Sequence, residues 1–143
     1  MVSQIAQFGG VFALLVFWHF VADWIFQTHS EAMAKAKDAR IRAQHCFTYA
    51  VIFAPAMGVL QLTWAEALVC WVVLFASHFV EDTYIPVMLW AKHVRQPPEF
   101  KSLPDEEAFV AWASTPLGKI IAIVVDQLVH LAFLFPIAYY AVT

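Results

Sequence analysis

Long apolar stretches alternate along this chain with short, charged connections. Four stretches stand out, at residues 5–26, 45–62, 65–85 and 117–142. Each is close to the ~20 residues that a helix needs to cross a bilayer. The second is short, and the third ends at Pro86, which cannot extend a helical hydrogen-bond ladder. Apolar residues occupy all sides of these stretches, as a helix surrounded by lipid requires. Short segments of alternating polarity, the mark of a membrane β-barrel, are not seen. The pattern predicts an all-α polytopic membrane protein with four transmembrane helices. The first stretch lacks a basic leader and a small-residue cleavage site and contains His19 and Asp23, so it reads as a span rather than a cleavable signal.

The first long loop, THSEAMAKAKDARIRAQ, is rich in Ala, Lys and Arg and predicts a helix that runs into the second span, with Ser30 as its N-cap. The second, from Lys92 to Pro116, holds QPPEF, which reads as extended, and then SLPDEEAFVAWA. Ser102 stands there at an N-cap position, with Asp105 three residues on. Phe109, Val110 and Trp112 would let this short helix lie at the membrane interface. Thr115 before Pro116 starts the last span in the same way.

Composition agrees with the pattern. The 143 residues suit a single domain, 1–143, and are 62% hydrophobic and 13% charged, with a mean hydropathy of +0.69. All eight basic residues lie on one side: Lys35, Lys37, Arg40 and Arg42 in the first loop, then Lys92, Arg95, Lys101 and Lys119 around the second. The positive-inside rule places both long loops in the cytoplasm and both termini in the periplasm of a bacterial inner membrane. Membrane lipids are the expected surroundings, a homo-oligomer or a larger membrane complex the expected assembly, and no nucleic-acid partner is implied. Cys46 and Cys70 fall at different depths and read as free thiols.

Ionisable groups inside the spans change the picture most. His19 and Asp23 form H-x3-D in the first span, His78 and Asp82 repeat it in the third, and Asp126 and His130 reverse it in the fourth. His45 opens the second. Residues four apart share a helix face, close enough for two side chains to grip one ion. With the chain direction alternating from span to span, all seven groups fall in the inner half of the bilayer. Each costs about 2.5–3.5 kcal/mol at the centre of a membrane helix unless it is paired or bound. Carboxylates with imidazoles suit zinc, manganese or iron, as one ion or as two sharing a carboxylate. A proton or ion pathway and an internal polar network are the competing readings. Gln27 and Gln127 read as hydrogen-bonders behind the ligands, His29 and His93 as solvated, and Glu81 as interfacial rather than a ligand.

In order along the chain, His19–Gln27 (HFVADWIFQ), the basic loop, His45, Ser77–Asp82 (SHFVED) and Asp126–His130 (DQLVH) resemble a family of small bacterial and phage membrane proteins known as domain of unknown function 3307. The resemblance covers nearly the whole chain and implies no activity. More loosely, the layout of His and Asp on membrane helices is similar to that of membrane-bound metal-dependent hydrolases, although the chain departs from their motif pattern ahead of the last histidines. The expectation is a metal-dependent hydrolase acting on a lipid or lipid-linked ester or phosphoester. In it His19, Asp23, His78, Asp82, Asp126 and His130 are ligands, His45 is a ligand or general acid/base, and Lys37 meets an anionic headgroup. The alternatives are a metal-ion or proton carrier using the same residues, and a structural subunit of a membrane complex or phage accessory protein.

Overall fold

A computed structural model describes the backbone of residues 2–142 and the side chains of 3–142. It is all-α, and no strand occurs among the described residues. The elements are α1 (Val2–Phe20) continuing into a π-helical turn (Val21–Ile25), α2 (His29–Ala34), α3 (Ala39–Ile52), α4 (Ala54–Val59), α5 (Trp64–Glu81) and α6 (Ile85–Trp90). A second π-helical turn (Ala91–Arg95), a 3-10 turn (Pro98–Lys101), α7 (Asp105–Ala113) and α8 (Pro116–Tyr140) complete the chain.

Three stretches are long and apolar enough to cross a membrane: Ser3–Ile25, Trp64–Glu81 and Pro116–Tyr140. The fourth stretch expected, 45–62, is divided. α3 stops at Ile52 and α4 starts at Ala54, with Pro55 in its first turn. Proline has no N–H to continue the ladder, so the helix restarts there. The third stretch, expected to reach residue 85, ends as a helix at Glu81. Tyr84 then takes the left-handed conformation (φ 59°), which turns the backbone out of the helix, and Pro86 falls in the first turn of α6.

Other starts also differ from expectation. Thr28, not Ser30, caps α2: its hydroxyl accepts from the Glu31 amide while the Glu31 carboxylate accepts from the Thr28 amide. The first loop is not one helix, because Asp38 caps a new one by accepting from the amides of Arg40 and Ile41. Ser102 does not cap α7; its hydroxyl donates to the Glu99 carbonyl, and the helix begins at Asp105. Thr115 caps α8 as expected, accepting from Gly118 N–H. A Cβ at Gly118 would collide with the Trp112 carbonyl, so this glycine lets α7 fold tightly against α8.

α1 packs on α8, α8 on α5, α5 on α3, and α3 on the π-helical turn that ends α1, which closes a ring of four segments. Leu15, Phe53, Leu74 and Leu134 fill one end of its interior, with Ala50, Ala56 and Ala138 allowing close approach. At the other end the buried side chains are polar: His19, Asp23, Lys35, His45, His78, Glu81, Asp82 and His130.

Candidate metal centre

The polar end is assembled by each segment in turn. The π-helical turn carries Asp23, α3 carries His45, and the last turn of α5 carries His78 and Glu81, with Asp82 at its C-cap. α8 adds His130. A π turn holds one more residue than an α turn, and such turns recur at functional sites. This one carries Asp23 into the polar end. The two residues, expected to act as a pair, have different surroundings. His19 uses both ring nitrogens elsewhere: Nε2–H donates to Gln127 Oε1 (3.0 Å), and Nδ1 accepts from the Tyr49 hydroxyl (3.0 Å). The Gln127 amide is oriented in turn by its donation to Asp126 Oδ2 (3.2 Å).

Asp23, His45, His78 and Asp82 come together, each offering an atom within 4.8 Å of all the others. The separations are short. Asp23 Oδ1 lies 3.1 Å from His45 Nε2 and 3.5 Å from His78 Nε2. Asp82 Oδ2 lies 3.5 Å from His45 Nε2 and 3.4 Å from His78 Nε2. The two imidazole nitrogens are 2.9 Å apart. Four ligands about 2.1 Å from one ion in a tetrahedron stand about 3.4 Å from one another, so these side chains already have the spacing of a coordination sphere. All four residues are at most 4% exposed.

A second group adjoins the first. His78, Glu81 and His130 also offer atoms within 4.8 Å of one another. Glu81, which the sequence reading set aside as interfacial, is buried, with Oε2 3.3 Å from His130 Nε2 and 3.7 Å from His78 Nδ1. Its place three residues after His78 was the sequence signal that it shares that face. Asp126 does not join either group. Its backbone carbonyl accepts from His130 Nδ1–H (2.7 Å), and its carboxylate is 3.9 Å from the same nitrogen. Gln27 stands behind His45, its amide 3.2 Å from Nε2. The Tyr49 ring stacks on His78, with centroids 3.8 Å apart.

Lys35 is the residue that sequence periodicity gave no means of placing here. It sits where α2 ends, and its ammonium reaches Asp82 Oδ1 (2.8 Å), Asp23 Oδ1 (3.1 Å) and His45 Nε2 (3.3 Å). Burial alone would lower its pKa; the Asp23 and Asp82 carboxylates outweigh that and raise it above the ordinary lysine value. Arg42 holds this corner by donating to the Lys35 and Ala36 carbonyls (2.9 and 3.2 Å). Lys37 lies outside the group, on a cleft of about 470 Å³ shared with Arg42, Tyr84, Glu106 and Phe109. Tyr84 and Phe109 also line a neighbouring cleft of about 270 Å³, which Lys119 and Asp126 enter.

The free thiols expected at Cys46 and Cys70 are both present and buried. In chemical terms the polar end is a set of buried His and Asp groups that could hold a metal ion. The model of the family described as Protein of unknown function (DUF3307) matches residues 11–143, which include every residue of the site, and the chain belongs to that family. No curated protein and no solved structure matches it.

Proposed function

We propose that this protein is a membrane-embedded, metal-dependent hydrolase acting on a lipid or lipid-linked ester or phosphoester. The observation that carries the reading is the four-residue group Asp23, His45, His78 and Asp82, whose measured separations of 2.9–3.5 Å match a tetrahedral sphere. Charge supports it as well. Asp23, Glu81 and Asp82 are buried against one ammonium, that of Lys35, which leaves two negative charges for a divalent cation to cancel. Zinc, manganese or iron suits this donor set. Such an ion lowers the pKa of water toward ~7 and stabilises charge on a phosphoryl or acyl oxygen.

The chain's own residues supply the rest. Lys35 stands against the same carboxylates, placed to neutralise a developing anion. His45, within reach of Lys35 and both aspartates, is either the fourth ligand through Nε2 or, left unbound, the group that accepts or returns a proton. The two clefts around Tyr84 combine basic Lys37, Arg42 and Lys119 with apolar Phe109, Val110 and Ile123, surroundings that suit an anionic headgroup joined to a chain. In this reading the ring of segments spans a bacterial inner membrane four times, α3 and α4 together making the second crossing. Both long loops face the cytoplasm, and α7 lies at the interface.

The test is elemental analysis of protein purified in mild detergent, with Asp23→Asn and His19→Asn beside the wild type. Bound zinc, manganese or iron that is lost in Asp23→Asn and kept in His19→Asn is the expected result. It should be accompanied by product release from lipid phosphoesters in detergent, without any gradient. A metal-free wild type that keeps its helicity through chelation would overturn the reading.

One observation favours a second function, ion or proton transport. Asp126 lines a cleft, and from it ionisable side chains follow one another through His130, Glu81 and His78 to Asp23. A carrier would move metal or protons across a liposome membrane and release no product in detergent.

A further inference from the structure

We infer that His78, Glu81 and His130 form a second cation site beside the first, so that the centre holds two ions. This rests on the metal-centre reading above and adds to it a distinct three-residue site.

His78 Nδ1, Glu81 Oε1 and His130 Nε2 are all buried without a hydrogen-bond partner, in residues no more than 3% exposed. Each of the three residues in the group therefore contributes one orphaned atom. Buried polar atoms in proteins are nearly always satisfied, and three orphans within one small cluster point to something that satisfies them together.

His130 gives the orientation. Its Nδ1–H donates to the Asp126 carbonyl at 2.7 Å, so in the neutral ring Nε2 is the nitrogen with the lone pair. That lone pair faces Glu81 Oε2 at 3.3 Å and Asp82 Oδ1 at 3.7 Å, an electron-rich contact that only a proton or a cation between the atoms makes favourable. A ring whose other nitrogen donates to a backbone carbonyl is the usual arrangement of a metal-binding histidine.

Two side chains lie between the sites and face both. His78 turns Nε2 to Asp23 and His45 and Nδ1 to Glu81, so to hold both ions it would bridge them as an imidazolate, its ring proton released to solvent on binding. Asp82 turns Oδ2 to the two imidazoles of the first site and Oδ1 toward His130. The first site has four protein donors with His45 bound and three without it. The second has three, which leaves a position free for water or substrate. It is also the site next to Asp126, the residue that reaches the cleft beneath Tyr84.

Charge favours the same count. With Asp126 included, four carboxylates stand against one ammonium. One divalent ion would leave the centre negative, and it would repel an anionic phosphoester. Two, with His78 bridging them as an imidazolate, leave the centre neutral, so that it no longer repels such a substrate.

Metal stoichiometry separates the possibilities. Protein equilibrated with zinc alone in mild detergent, freed of excess metal and measured against protein concentration, should carry two equivalents. Glu81→Gln and Asp23→Asn should each carry one, with helicity unchanged by circular dichroism. His130→Gln serves as a second variant should Glu81→Gln fail to fold, and should also carry one. One equivalent in the wild type that is unchanged in Glu81→Gln or His130→Gln overturns the second site and leaves the first standing; a proton on His130 then fills the role. Loss of both ions from a folded Glu81→Gln variant overturns the division into two sites. No metal in the wild type removes both readings together.

Discussion

The two ends of the helical ring are equally dry and chemically opposite. At one end Leu15, Phe53, Leu74 and Leu134 are at most 2% exposed; at the other, His19, His45, His78 and His130 are at most 1% exposed. Chain direction sorts them. In α1 and α5 the apolar residue precedes the histidine, and in α8, as from α3 to Phe53 at its C-cap, it follows, so alternating direction gathers like with like. The apolar end needs only shape. In the lipid setting proposed above there is no hydrophobic drive between helices, so the contribution of this end is close packing, helped by Ala50, Ala56 and Ala138. The polar end needs partners, since every charge placed there must be met by another charge, a hydrogen bond or an ion. Similar burial therefore has opposite consequences: one end tolerates small misfits, and the other is intolerant of a missing partner.

The largest effect should come from Lys35→Met. It removes the one buried ammonium from between Asp23 and Asp82, and breaking a buried ion pair costs about 3–5 kcal/mol. Thermal unfolding in detergent, with chelator present, should show a large fall in Tm. Added zinc should recover much of it, since a divalent ion can take over the charge; recovery that is absent would argue that the carboxylates need the lysine itself.

At the apolar end, Leu74→Ala should cost about 2–5 kcal/mol through the cavity it leaves. Its metal content should equal that of the wild type. A lost ion in a folded Leu74→Ala protein would show that the two ends are not independent.

Tyr49 belongs to both ends, since its ring packs within the apolar core while its hydroxyl meets His19 and its face stacks on His78. Tyr49→Phe keeps the packing and deserts His19 Nδ1, for an expected loss of about 1–2 kcal/mol. Chemical denaturation should detect it, with the metal stoichiometry unaltered. A loss as large as that of Lys35→Met would mean that the hydroxyl holds the site in place.

Much of this was legible along the chain. Apolar runs marked α1, α5 and α8, the fourfold spacing of His and Asp marked one end of the bundle as polar, and Thr115 marked the start of α8. These are local properties, set by helical periodicity and by the cost of ionisable groups in an apolar stretch. Breaks in helices were less legible. Whether Pro55 interrupts a span, or the third helix stops at Glu81, four residues short of the expected end, with Tyr84 turning positive in φ, depends on what the neighbouring segments allow.

Which side chains meet was settled only in three dimensions. One π-helical turn adds a residue to the coil that carries Asp23, and Asp23 and His19 bond different partners. The spacing alone could not reveal that extra residue. Nor could it reveal that the α2–α3 connection carries Lys35 inward to two carboxylates, or that Glu81 shares an interior face with His78 and His130. Sequence determined where the helices lie and that charge would be buried at one end of them. Tertiary structure decided the pairing beyond the contacts that His78 and His130 make along their own helices, because Asp23, Lys35 and His45 take the partners that packing brings within about 3 Å, and those come from other segments.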